Sequence, residues 1–159
     1  MALLFPLAVN YEQALDHDKA IMTYQSILEQ NPELDAAANN LAAILSDFHF
    51  DRPKSLERAL KLADRFRDSD NPYYLDTLGW IHYRLGNLDQ SLTFIEKAIK
   101  QQDAISQIQF HLGIVLREIG EYDRAREALR KALEENVEFP GVDQAHAALA
   151  ELRKFHSLY

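Results

Sequence analysis

The chain contains no cysteine, only five glycines and five prolines in 159 residues, no surplus of basic charge and no long unbroken apolar run. Each shortage excludes something. Without thiols there is no disulfide, no thiolate zinc site and no cysteine nucleophile, and either redox compartment stays open. With so little glycine and proline, and with 47% of residues hydrophobic and 26% charged, no stretch has the composition of a linker or a disordered tail. One ordered domain over residues 1–159 is therefore expected. Net charge is −8, with −4 in residues 1–34 and −1 in each of 35–71, 72–105, 106–136 and 137–159. Phosphate backbones are repelled by such a surface, so no nucleic-acid partner is expected. The longest apolar stretch, Met1 to Val9, is broken by Pro6 and has no basic residue before it. It is too short to span a bilayer and lacks the charged start of a signal peptide, so a soluble protein, cytoplasmic or periplasmic, with no membrane insertion is expected. Its apolar character reads as a helix edge facing more protein, either a preceding repeat or a second copy of the chain.

What is present is a repeat. Laying residues 72–105 over 106–139 aligns Leu78 with Leu112, Gly79 with Gly113, Gly86 with Gly120, Leu88 with Tyr122, Ile95 with Leu129 and Ala98 with Ala132, always at an offset of 34. Residues 1–34 enter the same frame through Leu7, Ala8, Tyr11, Ala20, Tyr24, Ile27 and Pro32. Residues 35–71 follow through Leu41, Ala42, Leu56, Ala59, Leu60 and Ala63, with about five extra residues in the loop Ser46–Ser55. Small residues, such as Gly79, Gly113, Ala42, Ala8, Ala20, Ala59 and Ala125, stand where two antiparallel helices cross closely, and large ones fill the space beside them. Past the breaker Pro140-Gly141, Val142, Ala145, Leu149 and Leu152 form one apolar stripe on a final helix, expected over about 142–155.

A period of 34 residues carrying helix, glycine turn and helix resembles the tetratricopeptide repeat. More narrowly, the runs 71–80 and 139–152 resemble the C-terminal repeats of large bacterial proteins of that kind, including ones associated with exopolysaccharide and exosortase systems. The resemblance implies an all-α fold, a right-handed superhelical solenoid of antiparallel helix pairs. It would hold four repeats, about 1–34, 35–71, 72–105 and 106–139, plus a C-terminal capping helix. It also implies a non-catalytic scaffold that binds a peptide or protein segment in its concave groove, without a cofactor.

The face opposite the core stripe is the candidate site. If Leu75, Leu78, Gly79 and His82 face neighbouring helices, then Tyr73, Asp76, Trp80, Tyr83 and Arg84 turn toward the inner surface. The equivalent face of the next repeat carries Gln107, Phe110, His111, Ile114 and Arg117, and that of the second carries Asn39, Asn40, Ala43 and Asp47. Aromatic and arginine side chains in a concavity are the usual anchors of a peptide interface. Rings on a solenoid helix are also commonly packed against their neighbours, so Tyr73, Trp80 and Phe110 carry both readings, with phase favouring the groove for Trp80. Asn39 and Asn40 suit either holding an extended backbone or capping.

Other chemistries fare worse. Capture of a C-terminal carboxylate, a known mode in the resembled family, needs lysine, arginine and asparagine where this chain has Phe5, Val9, Asn40, Tyr73 and Thr77, and only Asn40 matches. His17, His49, His82, His111, His146 and His156 show no metal-ligand spacing, and no nucleophile and base or phosphate loop is present. No enzyme and no metal are expected. His82 reads as a packed core histidine. The alternative to a peptide-binding scaffold is a homo-oligomer that self-assembles through residues 1–9.

Overall fold

The computed structural model describes residues 3–134 and 138–156. Met1 and Ala2 of the apolar edge, residues 135–137 within the last repeat and residues 157–159 lie outside that description. Among the described residues all regular structure is helical. The helices are α1 (Leu4–Gln13), α2 (His17–Gln30), α3 (Asp35–Phe48), α4 (Pro53–Ala63), α5 (Pro72–Arg84), α6 (Leu88–Gln101), α7 (Ser106–Glu118), α8 (Tyr122–Leu133) and α9 (Val142–His156), with a 3-10 turn at Asp64–Phe66. The chain divides into two compact units, Met1–Arg67 and Asp68–Tyr159.

Local signals explain the boundaries. Asp16 caps α2 by accepting from the Lys19 amide at 3.3 Å, and its carboxylate also takes the Lys19 ammonium at 2.6 Å. Asn71 caps α5 by accepting from the Tyr73 amide at 3.0 Å, and Pro72 supplies the preset first helical residue. The ends of α5 and α7 share one motif. Gly86 and Gly120 adopt φ of 78° and 87°, and the amides of Asn87 and Glu121 donate back to the carbonyls of His82 and Leu116, both at 2.9 Å. That left-handed turn satisfies carbonyls the helix would otherwise leave open and suits a residue without Cβ. Where the sequence places extra loop residues at Ser46–Ser55, α3 continues through Phe48 and Pro53 opens α4, so the connection shortens to residues 49–52.

In the first unit α1 packs on α2, α2 on α3 and α3 on α4; in the second α5 packs on α6, α6 on α7, α7 on α8 and α8 on α9, while α5 touches α7 and α7 touches α9. Within each pair the crossing is made close by small residues. Ala8, Ala20, Ala42, Ala59 and Ala125 are fully buried. A Cβ on Gly79 would lie 2.7 Å from Ile95 Cγ1, and one on Gly113 2.6 Å from Leu129 Cγ. Both distances are shorter than side chains tolerate, so the glycines let α5 approach α6 and α7 approach α8. Leu41, Leu75, Leu78, Ile81, Ile95, Ile108, Val115 and Leu129 complete the buried layers. His82 is buried, with its ring stacked on Phe94 at 5.5 Å, as a core histidine would be. Leu7 differs from its expected core role: it is 39% exposed, and Ala8 beside it makes the contact.

The first unit also holds a buried polar chain. Asn40 Nδ2 donates to the Tyr24 hydroxyl at 2.9 Å, and the Glu12 carboxyl lies beside the same hydroxyl with one oxygen left unpartnered. Burial raises the Glu12 pKa above its ordinary value of 4.5, with the Tyr24 hydroxyl opposing. Burial likewise pushes the Tyr24 hydroxyl well up, the Asn40 bond opposes this, and the Glu12 charge adds to it.

Two measurements test this packing. Gly113→Leu should destabilise the second unit by roughly 1–3 kcal/mol or more, read by chemical denaturation, because the Leu129 side chain and the Ala125 carbonyl leave no room. Unchanged stability would contradict the close crossing. Because the Glu12 pKa is raised on folding, its ionisation weakens the fold: the stability present below the ordinary value of 4.5 is lost as pH rises through the folded value. Glu12→Gln should therefore melt at least as high as wild type at pH 7, with the advantage disappearing below pH 4.5.

Candidate functional site

Within the second unit, the repeat brings two columns of residues to one surface. Trp80, Ile114 and Ala148 succeed one another at intervals of 34, as do Tyr83, Arg117 and Glu151. These six, joined by Arg84, Gln144 and Ala147, line a cleft of about 250 Å³ across α5, α7 and α9. One wall is an aromatic stack. The Trp80 ring stacks with Tyr83, centroids 4.6 Å apart, and with His111, at 3.9 Å, both nearly parallel to it. Tyr83 follows Trp80 by three positions, which places both on one face of α5. The Arg84 guanidinium sits over the indole, 4.9 Å from its centroid. Opposite, Arg117 reaches Glu151 at 3.3 Å and Glu118 at 3.1 Å. Half-buried, Tyr83 has its hydroxyl pKa raised first by burial and then by the Glu118 charge, while Arg84 and Arg117 pull it down.

Beneath the stack lies a polar pair. His111 Nδ1 is 2.9 Å from both carboxylate oxygens of Asp76, with both side chains buried. A carboxylate that accepts here pairs with the imidazole tautomer that carries its hydrogen on Nδ1. The pair ties α5 to α7 and holds the imidazole flat against Trp80. Phe110 is buried behind the stack, 6.0 Å from Trp80 and 5.7 Å from Phe139, with Gly141 at φ 102° packed against its ring.

The candidate residues therefore occupy different positions. Trp80, Tyr83, Arg84 and Arg117 line the cleft, although Trp80 is only 4% exposed. Asp76, Phe110 and His111 are buried and support it. Tyr73, at the start of α5, is exposed, and Gln107, at the start of α7, is half-buried; neither lines the cleft. Asn39 and Asn40 belong to the first unit, where Asn39 Nδ2 donates to Asn40 Oδ1 at 3.4 Å and Asn40 in turn serves Tyr24. The sequence reading did not single out Gln144, Ala147, Ala148 and Glu151 of α9. Carrying the same period of 34 from Phe110, Ile114 and Arg117 onto the last helix finds three of them.

Chemically, the cleft offers a small apolar floor, an aromatic wall and two guanidinium groups, a combination that grips a side chain and the polar backbone beside it. Among the described residues no three histidine, aspartate or glutamate side chains are placed to hold a metal, and no helix is long and apolar enough to cross a membrane.

Comparison with known proteins agrees with this architecture. No curated protein sequence gives a significant match. The thermophilic tetratricopeptide-repeat protein TTC0263 of Thermus thermophilus superposes with a TM-score of 0.77 at 21% identity, over 95% of this chain and 80% of that one. A crystal structure of MamA matches with a TM-score of 0.66 at 20% identity, over 95% of this chain and 85% of that one. The structure of Naa15/Naa10 bound to HypK-THB matches at 0.62 and 20% identity, over 98% of this chain and 23% of that one. Profiles described as tetratricopeptide repeat match residues 2–33 and 77–141, together more than half of the sequence. With its period, its paired helices and these matches in agreement, the chain belongs to the tetratricopeptide-repeat family.

Proposed function

We propose that this protein is a non-catalytic interaction scaffold and that it holds a peptide or protein segment in the cleft across α5, α7 and α9. The observation that carries the reading is the convergence of Tyr83, Arg84 and Arg117 around an open floor made by Ile114, Ala147 and Ala148. Rigid rings lose little conformational freedom on binding, and a guanidinium can serve a carbonyl or a carboxylate, so such a surface grips a chain without a deep pocket. A cleft of about 250 Å³ accepts one or two side chains rather than a metabolite, since small-molecule sites run to roughly 300–1,000 Å³. The matched structure of Naa15/Naa10 bound to HypK-THB supports protein partners for this fold. Residues 1–159 serve this scaffold as a single domain.

The second reading, self-assembly through the apolar start of the chain, has its own observation: Leu3 is 84% and Leu7 39% exposed. Sedimentation velocity of wild type and Leu7→Ser over a wide concentration range tests it. A dimer that the substitution abolishes favours assembly, and a monomer throughout removes it.

Selecting a random peptide library on the protein tests the cleft, with Trp80, the only tryptophan, as fluorescent reporter. Selected peptides should shift its emission. Ala147→Arg, an exposed position on α9 that lines the cleft, should weaken them at least tenfold with melting temperature nearly unchanged. Full binding by that variant would contradict the reading. Trp80→Ala should instead cost roughly 3–5 kcal/mol of folding stability, as expected for a buried ring, and a melting temperature equal to wild type would contradict its supporting role.

A further inference from the structure

The turn between α1 and α2 repeats the glycine motif of the later turns without the glycine. Leu15 stands two residues before α2, as Gly86 stands before α6 and Gly120 before α8. Its backbone is left-handed, at φ 57°, and it is the one non-glycine residue with positive φ among those described. The hydrogen bonds are the same: the Asp16 amide donates to the Tyr11 carbonyl and the Leu15 amide to the Glu12 carbonyl, both at 2.9 Å. A branched apolar residue is strained in this conformation, and glycine would relieve it. Nor does the side chain repay the strain by burial, being 73% exposed. Beside it Phe48 is 46% exposed, and the two line one open cleft of about 540 Å³ with Ala14, Asp16, His17 and His49. The His17 ring stacks on Phe48 at 3.7 Å, which holds the phenyl ring in place, and Phe50 just beyond is 45% exposed. Strain together with exposed large apolar side chains marks a contact surface.

The charge around it says what it contacts. Asp18 also lines the cleft, so its lining holds two carboxylates, Asp16 and Asp18, and no lysine or arginine. Lys19 is committed to Asp16 at 2.6 Å. We infer that this rim of the first unit is a second docking surface, distinct from the cleft across α5, α7 and α9. Its occupant is an extended segment of another protein in which lysine or arginine stands two residues from leucine or phenylalanine, so that both face the cleft. The apolar side chains cover Leu15 and Phe48, and the cations face Asp16 and Asp18. Opposed charges set the register and the choice of partner, and the rings and Leu15 provide the contact.

The test uses the full chain and three synthetic peptides of equal length: one in which Lys stands two residues from Leu or Phe, one with Glu in place of each Lys, and one with Ser in place of each Leu and Phe. Binding is measured by calorimetry and mapped by amide chemical shifts. The basic apolar peptide should bind at least tenfold more tightly than either other, weaken as salt rises, and shift the amides of residues 14–18 and 48–50. Leu15→Gly should raise or preserve the melting temperature and weaken that peptide roughly tenfold, and Phe48→Ser should weaken it without unfolding the chain. Leu15→Asn, which tolerates the left-handed turn with less freedom in the unfolded chain, should behave like the glycine variant. Equal binding of all three peptides, shifts confined to α5, α7 and α9, or a melting temperature that falls in both Leu15 variants would overturn the inference. A concentration-dependent mass lost in Leu15→Gly would overturn it too, by showing that a second copy is the occupant.

Discussion

Everything in this structure depends on how closely paired helices approach one another. At Gly79 and Gly113 the distance is set by the absence of a single carbon, because a Cβ at either place would press on Ile95 or Leu129. Where the early repeats place Ala8 and Ala42 instead, the alanines are fully buried and serve the same purpose. Close approach lets the two helices of a pair share one apolar seam. The seam in turn fixes which faces remain for the neighbouring pair and which remain open.

The open faces are where the chemistry lies. In the second unit α5, α7 and α9 contact one another in sequence, so side chains one period apart form short ladders rather than isolated points. The ladder of Trp80, Ile114 and Ala148 falls in size along the series, and the space left by the two smaller members is the cleft. The Asp76 to His111 contact stands behind it as a positioning device. By holding the imidazole against Trp80, it keeps the aromatic wall in one orientation before any ligand arrives, which reduces the ordering that binding must impose.

Much of this was legible in the sequence because the repeat is strict where packing is strict. The aligned leucines, glycines and alanines locate the crossings, and the breakers locate the turns. Two things were not legible. Phase shows which way Trp80 points but not how deeply it sits, and its depth follows from Tyr83 and His111 stacking against the ring, contacts made on a neighbouring turn and on a neighbouring helix. Likewise Asn39 and Asn40 resemble peptide-holding amides until Tyr24, sixteen positions from Asn40, is seen to engage one of them. The cap helix read as a plain apolar stripe, because Ala147, Ala148 and Glu151 are ordinary helix residues until the period carries them beside α7. Leu15 is the reverse case: the sequence shows a leucine where later turns have glycine, but only the backbone angle shows that it keeps the glycine conformation.

The central claim is that the surface across α5, α7 and α9 receives the partner segment. The most direct measurement is methyl nuclear magnetic resonance of the full chain with isoleucine and alanine labels, recorded during titration with a peptide selected on the protein. The account expects the largest shifts at Ile114, Ala147 and Ala148, with Ala125, Ala128 and Ala132 of α8 unmoved. Shifts centred on α6 and α8, with Ile114 and Ala148 silent, would contradict it.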